Sequence, residues 1–269
     1  MSGFILRIIA MVTMVTDHVA YYLMDDPEIL RMIGRIAFPM YAFLLAEGFI
    51  IICKDRKRLL KHLSILIMLV IASEICCDVM EFKLNFSEYM NSQSNMITLL
   101  MGFLGMMLTE VLFPIDGKES KKLNKKNLFV LLSGYVLLGF ANYRIDANFN
   151  CMGPMLVIAY YWFIRLSRNH KNNSNNWNWI TRFSTLLLIF VIYLPLYFWV
   201  RTDFGSVTRL IQEMKDYFPW IIGHVLSAFI MSFANGRQGY HKKWFKNLYT
   251  VFYPSHALAI GIICIFLGK

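Results

Sequence analysis

Apolar runs of close to 20 residues recur from one end of this 269-residue chain to the other. A single water-soluble core could not absorb them all, and a run of that length is what a helix needs to cross about 30 Å of hydrocarbon. Composition points the same way. Hydrophobic residues make up 57% of the chain and charged residues 16%, against about 25% charged in a typical soluble domain. The runs predict helical spans at 4–24, 29–53, 59–80, 95–113, 127–142, 150–166, 180–200, 218–234 and 248–267. The expected fold is therefore an all-α integral membrane protein, a polytopic bundle of about nine transmembrane helices. The runs at 127 and 150 are the shortest, and no polar stretch is long enough to form a separate soluble domain. Arg7 and the first run resemble a signal peptide, but Asp17 and His18 follow where a small-residue cleavage site would be needed, so the run is read as the first span.

The net charge of +10 would suggest nucleic acid in a soluble protein. Here the basic residues fall between apolar runs, where retention of Lys and Arg in the cytoplasm accounts for them and no nucleic-acid partner is needed. One set of connections is basic: Lys54/Arg56/Lys57/Arg58/Lys61, Lys118/Lys121/Lys122/Lys125/Lys126, Arg165/Arg168/Lys171 and Arg237/Lys242/Lys243/Lys246. The other set is acidic or balanced: Asp25/Asp26/Glu28, Glu81/Lys83/Glu88, Arg144/Asp146 and the stretch from Arg201 to Asp216. The sets alternate throughout, which predicts a cytoplasmic N-terminus, an external C-terminus and an odd number of crossings. No internal repeat is evident, which counts against a secondary transporter. The five cysteines lie in or beside apolar runs without metal-ligand spacing and read as small buried hydrophobes.

Ionisable residues within a span need a partner or a water-filled cavity. Counted at 1.5 Å per residue, His18 lies about 21 Å from the cytoplasmic start of its span, Arg35 about 9 Å from the outer face, and Glu74 about 22 Å from the inner face. Asp17, Asp78 and His224 share that outer layer. Glu74 and Asp78, four residues apart, share a helix face and would repel without a cation between them, and Arg35 is the cation at their level. Such residues can form a structural network gluing helices together. His18 is also the type of group that moves protons near neutral pH. His224, after Gly223 on an apolar helix, reads as a packed core histidine, and Glu47 as a snorkelling charge near the cytoplasmic end. His256 follows Pro254 in the last span, about 12 Å from the cytoplasmic face, where the proline is expected to kink the helix. No metal site or phosphate-cradling glycine loop is evident.

Several local patterns then resemble one family. Asp17-His18, the segment from Gly34-Arg35 through Pro39 to Glu47-Gly48-Phe49, and Ser73-Glu74-Ile75 with Asp78 are similar to N-terminal signatures of the TraX family. Asn235-Gly236-Arg237-Gln238-Gly239 and Phe252-Tyr253-Pro254-Ser255-His256 are similar to its C-terminal signature. The chain departs from the family pattern at Cys76-Cys77, where Pro-Phe is usual, and at Ala147 after Asp146, where tyrosine is usual. The resemblance implies a single TraX-like transmembrane domain over residues 1–269 in the inner membrane. It also implies acyl transfer from cytoplasmic acetyl-CoA to an acceptor on the outer side, with a peptide or pilin N-terminus, a glycan and a lipid head group all open.

On that reading His18, Asp17, Arg35, Glu74, Asp78 and His256 are the candidate catalytic residues. His18 would act as general base or acyl carrier, Arg35 would meet the developing oxyanion or pair with Glu74 and Asp78, and His256 would assist the thioester. Arg56, Lys57, Arg58, Lys121, Lys122, Lys242 and Lys243 could hold CoA phosphates, or could serve topology alone. A proton-coupled transporter or a non-enzymatic assembly factor would also use intramembrane His, Glu and Arg.

Overall fold

The computed structural model describes residues 1–24, 27–83, 85, 93–115, 124–145, 147, 149, 151–171, 179–201, 206–216, 218–240 and 242–268. Eleven helices account for nearly all of them: α1 (Gly3–Leu23), α2 (Glu28–Gly34), α3 (Ala37–Ile52), α4 (Arg56–Phe82), α5 (Asn95–Leu112), α6 (Lys125–Arg144), α7 (Met152–Lys171), α8 (Trp179–Arg201), α9 (Val207–Asp216), α10 (Phe218–Ser232) and α11 (Lys243–Leu267). Among the described residues there is no named strand, only an isolated bridge between Gln93 and Ala147.

Six helical stretches are long and apolar enough to cross a membrane: Gly3–Leu23, Glu28–Ile52, Arg56–Phe82, Asn95–Leu112, Thr181–Val200 and Lys243–Leu267. The three other runs behave differently, each for a visible reason. α6 ends in polar residues, yet Phe129, Leu132, Val136 and Phe140, spaced along one face, are all more than half exposed. An apolar face of that length is what lipid would cover. α7 is interior: Leu156, Val157, Tyr160, Tyr161 and Phe163 are buried, so it needs less hydrophobicity than a lipid-facing helix. Its Arg165 turns into the bundle rather than outward, donating to Tyr161 Oη at 2.8 Å and lying 3.6 Å from Glu110 of α5. α10 is short, and the ten-residue α9 precedes it where a plain loop is expected.

The expected span at 29–53 is two helices. Pro39 has no amide hydrogen, so the carbonyl of Arg35 loses its helical partner, and the chain turns through Arg35 and Ile36 before α3 begins. α3 is the central element. Ala42 and Ala46 are fully buried and let its neighbours approach closely. Gly34 does the same for α2, since a Cβ there would stand 2.5 Å from Asp17 Oδ1 of α1.

α1 and α11 run parallel. Phe4 packs on Phe245 with ring centroids 4.7 Å apart, His18 meets His256, and Cys264 Sγ approaches the Tyr22 carbonyl at 3.8 Å. α11 is helical throughout, with Pro254 inside it. It also begins at Lys243, five residues before the apolar run, so His256 lies about 20 Å along the helix rather than about 12 Å from its start.

Candidate functional site

Near the break between α2 and α3 lies a cavity of about 40 Å³. By the space one ordered water requires, it admits about three waters or a small acyl group. α1 contributes Met14, Asp17 and His18; the α2–α3 junction contributes Gly34 and Arg35; α3 contributes Ala37, Phe38 and Tyr41. Asn95, Met96 and Leu99 from the first turns of α5, Tyr253 from α11 and Phe149 complete the wall. The i, i+3, i+4 spacing within α1 puts its three residues on one face. Phe149, with φ of +65°, stacks on Phe38 at a centroid distance of 3.8 Å. The amides of Arg35 and Ile36 donate to the carbonyls of Arg31 and Ile33 at 3.1 and 3.2 Å, so the broken helix keeps these backbone groups paired where it lines a cavity, the circumstance in which irregular backbone is tolerated at membrane depth.

His18 is the imidazole in this wall, and its tautomer is set by its partner. His256 Nδ1 lies 3.0 Å from the Phe252 carbonyl, which can only accept, so that nitrogen carries the hydrogen. In the neutral ring His256 Nε2 is then an acceptor, and it takes a hydrogen bond from His18 Nδ1 at 2.8 Å. The free lone pair of His18 is therefore on Nε2. The two rings are inclined by only 14° with centroids 4.9 Å apart, and Phe252 also stacks on His256 at 5.2 Å.

Asp17 collects two cations. Arg31 Nη1 lies 2.8 Å from its Oδ1 and Arg35 Nη1 3.7 Å from its Oδ2, all three side chains being about a quarter exposed or less. Arg31 is also seated over the Tyr21 ring at 4.6 Å. Of this trio Asp17 and Arg35 line the cavity, so the wall carries one carboxylate and one guanidinium, and the guanidinium is a donor of the kind that meets an oxyanion.

Arg35 pairs with Asp17, whereas Glu74, expected beside it, is held by Ser94. The Glu74 carboxylate accepts from the backbone amide of Ser94 at 3.1 Å and from its hydroxyl, and so caps the N-terminus of α5. Asp78, 3% exposed, is buried a turn further along α4, and neither carboxylate lines the cavity. Glu74 instead anchors the turn that presents Asn95. His224 is fully buried outside the cavity wall, with Nδ1 3.0 Å from the Trp220 carbonyl and its ring 3.8 Å from the Trp220 ring. Gly223 beside it brings α10 against α2, where a Cβ would meet the Met32 carbonyl at 2.5 Å.

Arg56, Lys57, Arg58, Lys242 and Lys243 are all exposed. α4 and α11 pack side by side in the same sense, Cys77 against Tyr253 and Met80 against Gly261, so these five residues share one end of the bundle. That end is about 20 Å from His256 along α11. Arg58 also pairs with Asp55 at 3.1 Å, the residue that caps α4. Lys121, Lys122 and Asp146 lie outside the described residues. Among the described residues no group of three or more His, Cys, Asp or Glu side chains could hold a metal ion.

Sequence reasoning missed Arg31, Tyr41, Asn95 and Phe149, and reached Tyr253 only as part of the signature that ends in His256. Arg31 left a signal, four residues before Arg35 and hence on its face.

The family described as TraX protein matches residues 2–264. The chain belongs to the TraX family. No curated protein and no solved structure matches it. The TraX-like segments divide by role. Those containing Asp17-His18, Gly34-Arg35 and Tyr253 build the cavity. The segment 235–239 instead holds the start of α1, its Arg237 and Gln238 carbonyls accepting from the amides of Gly3 and Phe4 at 2.8 and 3.0 Å.

Proposed function

We propose that this TraX chain is a membrane-embedded acyltransferase that moves an acetyl group from cytoplasmic acetyl-CoA to an acceptor amine or hydroxyl toward the outer face. The observation that carries the reading is the His18–His256 pair: a base whose lone pair falls on Nε2, on the wall of a largely apolar cavity that Asp17 and Arg35 also line. His18 Nε2 takes the proton of the attacking amine or hydroxyl as the new bond to the thioester carbon forms. His256, already oriented by the Phe252 carbonyl, shares the resulting positive charge. Arg35 faces the oxygen on which negative charge collects, and collapse expels the CoA thiolate, which recovers the proton.

The basic end of the bundle supports the same assignment. Arg56, Lys57, Arg58, Lys242 and Lys243 would bind the phosphates of CoA, whose thioester sits at the tip of a long flexible arm suited to a separation of about 20 Å. We further propose nine crossings, with α2 and α3 acting as one span and α6, α7 and α10 joining the six more apolar ones, in an inner membrane with the N-terminus cytoplasmic. The parallel packing of α1 and α11 supports termini on opposite faces.

The test is incubation of the purified chain, in lipid nanodiscs, with labelled acetyl-CoA and measurement of thiol release. The wild type should release thiol and His18→Ala should not. A wild type that neither binds nor turns over acetyl-CoA, while a pH gradient drives solute flux through it, would establish transport instead.

A further inference from the structure

Two residues of the cavity wall each carry a buried polar atom without a hydrogen-bond partner. The Tyr41 hydroxyl and Asn95 Oδ1 are each sealed from solvent, each without a hydrogen bond, and both residues line the space beside His18. Native interiors leave few such atoms, because each costs the full desolvation of a polar group. Neither residue is loosely held. The Tyr41 ring stacks on Tyr249 of α11 at 5.8 Å and 15°, and Asn95 opens α5 immediately after the turn that Glu74 anchors. The unmet hydrogen-bonding capacity is one donor and one acceptor. His18 Nε2 adds a second acceptor.

That set matches the reacting groups of an acyl transfer. A thioester carbonyl only accepts. A nucleophile gives up one hydrogen to the base and keeps, or adjoins, another. We propose that Tyr41 and Asn95 are the substrate-binding pair of this cavity, a role that rests on the acyl-transfer reading above. The Tyr41 O–H donates to the thioester oxygen and holds it as the carbonyl π electrons move onto it. Asn95 Oδ1 accepts the hydrogen that the acceptor retains: the second N–H of an amine, or the hydroxyl adjoining the one that reacts. His18 takes the other hydrogen as the bond to carbon forms, and the C–S bond then breaks with the proton returned to sulfur. Acceptors lacking a second donor beside the nucleophile leave Asn95 unpaired and should be used poorly.

The experiment uses the full chain in nanodiscs with acetyl-CoA and three probe acceptors, triglycine, glucosamine and phosphoethanolamine, measured by thiol release. Tyr41→Phe keeps the ring stack and removes only the hydroxyl; Asn95→Leu keeps the approximate shape. The expected result is a fall in kcat of about 10²-fold for Tyr41→Phe with KM little changed, the effect of losing one oxyanion donor. For Asn95→Leu the acceptor KM should rise about tenfold, the share of one neutral hydrogen bond. Melting temperature should stay level or rise in both, because each change deletes an orphaned polar atom. A purely structural role predicts the reverse. If the wild type turns over while both variants match its rates, or lose activity only in step with a fall in melting temperature, the assignment to Tyr41 and Asn95 is overturned and acyl transfer stands. A wild type inert toward every probe acceptor removes acyl transfer and this pair together.

Discussion

His18 Nδ1 and His256 Nε2 are 2.8 Å apart although 238 positions separate them in the chain, so one hydrogen bond both closes α1 against α11 and fixes which nitrogen of His18 is basic. Removing His18 should abolish thiol release, a loss of at least about 10²-fold for a general base. His256→Ala should cost less, about 10- to 100-fold, because His18 keeps its ring but loses its orientation. The double variant should be no worse than His18→Ala alone, since the two act as a unit. Independent, multiplying losses in a double-mutant cycle would show that the two histidines work separately.

Gly34 is the point where α2 touches α1. A methyl group there would press on Asp17, so Gly34→Ala should destabilise the fold by about 1–3 kcal/mol and loosen the Arg31–Asp17 pair. Gly48, on α3, has nothing within 4 Å of the same position. Gly48→Ala should therefore be neutral or stabilise by up to about 1 kcal/mol, the ordinary helix preference. Thermal unfolding of the two variants in the same detergent makes the comparison, and similar melting temperatures would refute the close contact.

Glu74 acts through the backbone of α5. Glu74→Gln keeps the shape but turns an all-acceptor group into one with an amide donor facing the Ser94 amide, at a cost of about 1–3 kcal/mol. Any loss of activity should follow that loss of stability and recover on cooling. A variant that melts like the wild type yet is inactive would return Glu74 to the chemistry.

The bundle was legible because lipid demands long apolar helices, and such runs are visible in one dimension. The break at Arg35–Ile36 was not, because the run from 29 to 53 stays apolar across it; only Gly34 and Pro39 mark the place. The contact between His18 and His256 was hidden for a related reason. The first turn of α11 carries Lys243 and Lys246, so hydropathy starts the helix too late and separates two histidines that touch. Asp17, His18 and Arg35 stood out as charges or titrating groups at membrane depth. Tyr41 and Asn95 did not, since a single tyrosine or asparagine has no periodicity, and being unpartnered is a property that exists only in three dimensions.

The parallel course of α1 and α11 bears on topology. If both cross the bilayer, they enter from the same face, and the C-terminus emerges opposite the start of α1 whatever happens between them. Alternating loop charge argues separately that the start of α1 is cytoplasmic. Alkaline phosphatase, active only outside the inner membrane, should therefore be active when fused after residue 268 and inactive when fused after Arg56, within the basic connection. Fusion after Lys83 should restore activity, because α4 lies between that site and Arg56 and is the most apolar of the long helices. With α1 and α11 parallel, an inactive C-terminal fusion together with an active fusion after Arg56 would mean that the whole bundle is inverted, its N-terminus outside. An inactive C-terminal fusion together with an inactive fusion after Arg56 would overturn the parallel course itself, because both ends of the bundle would then lie on one face.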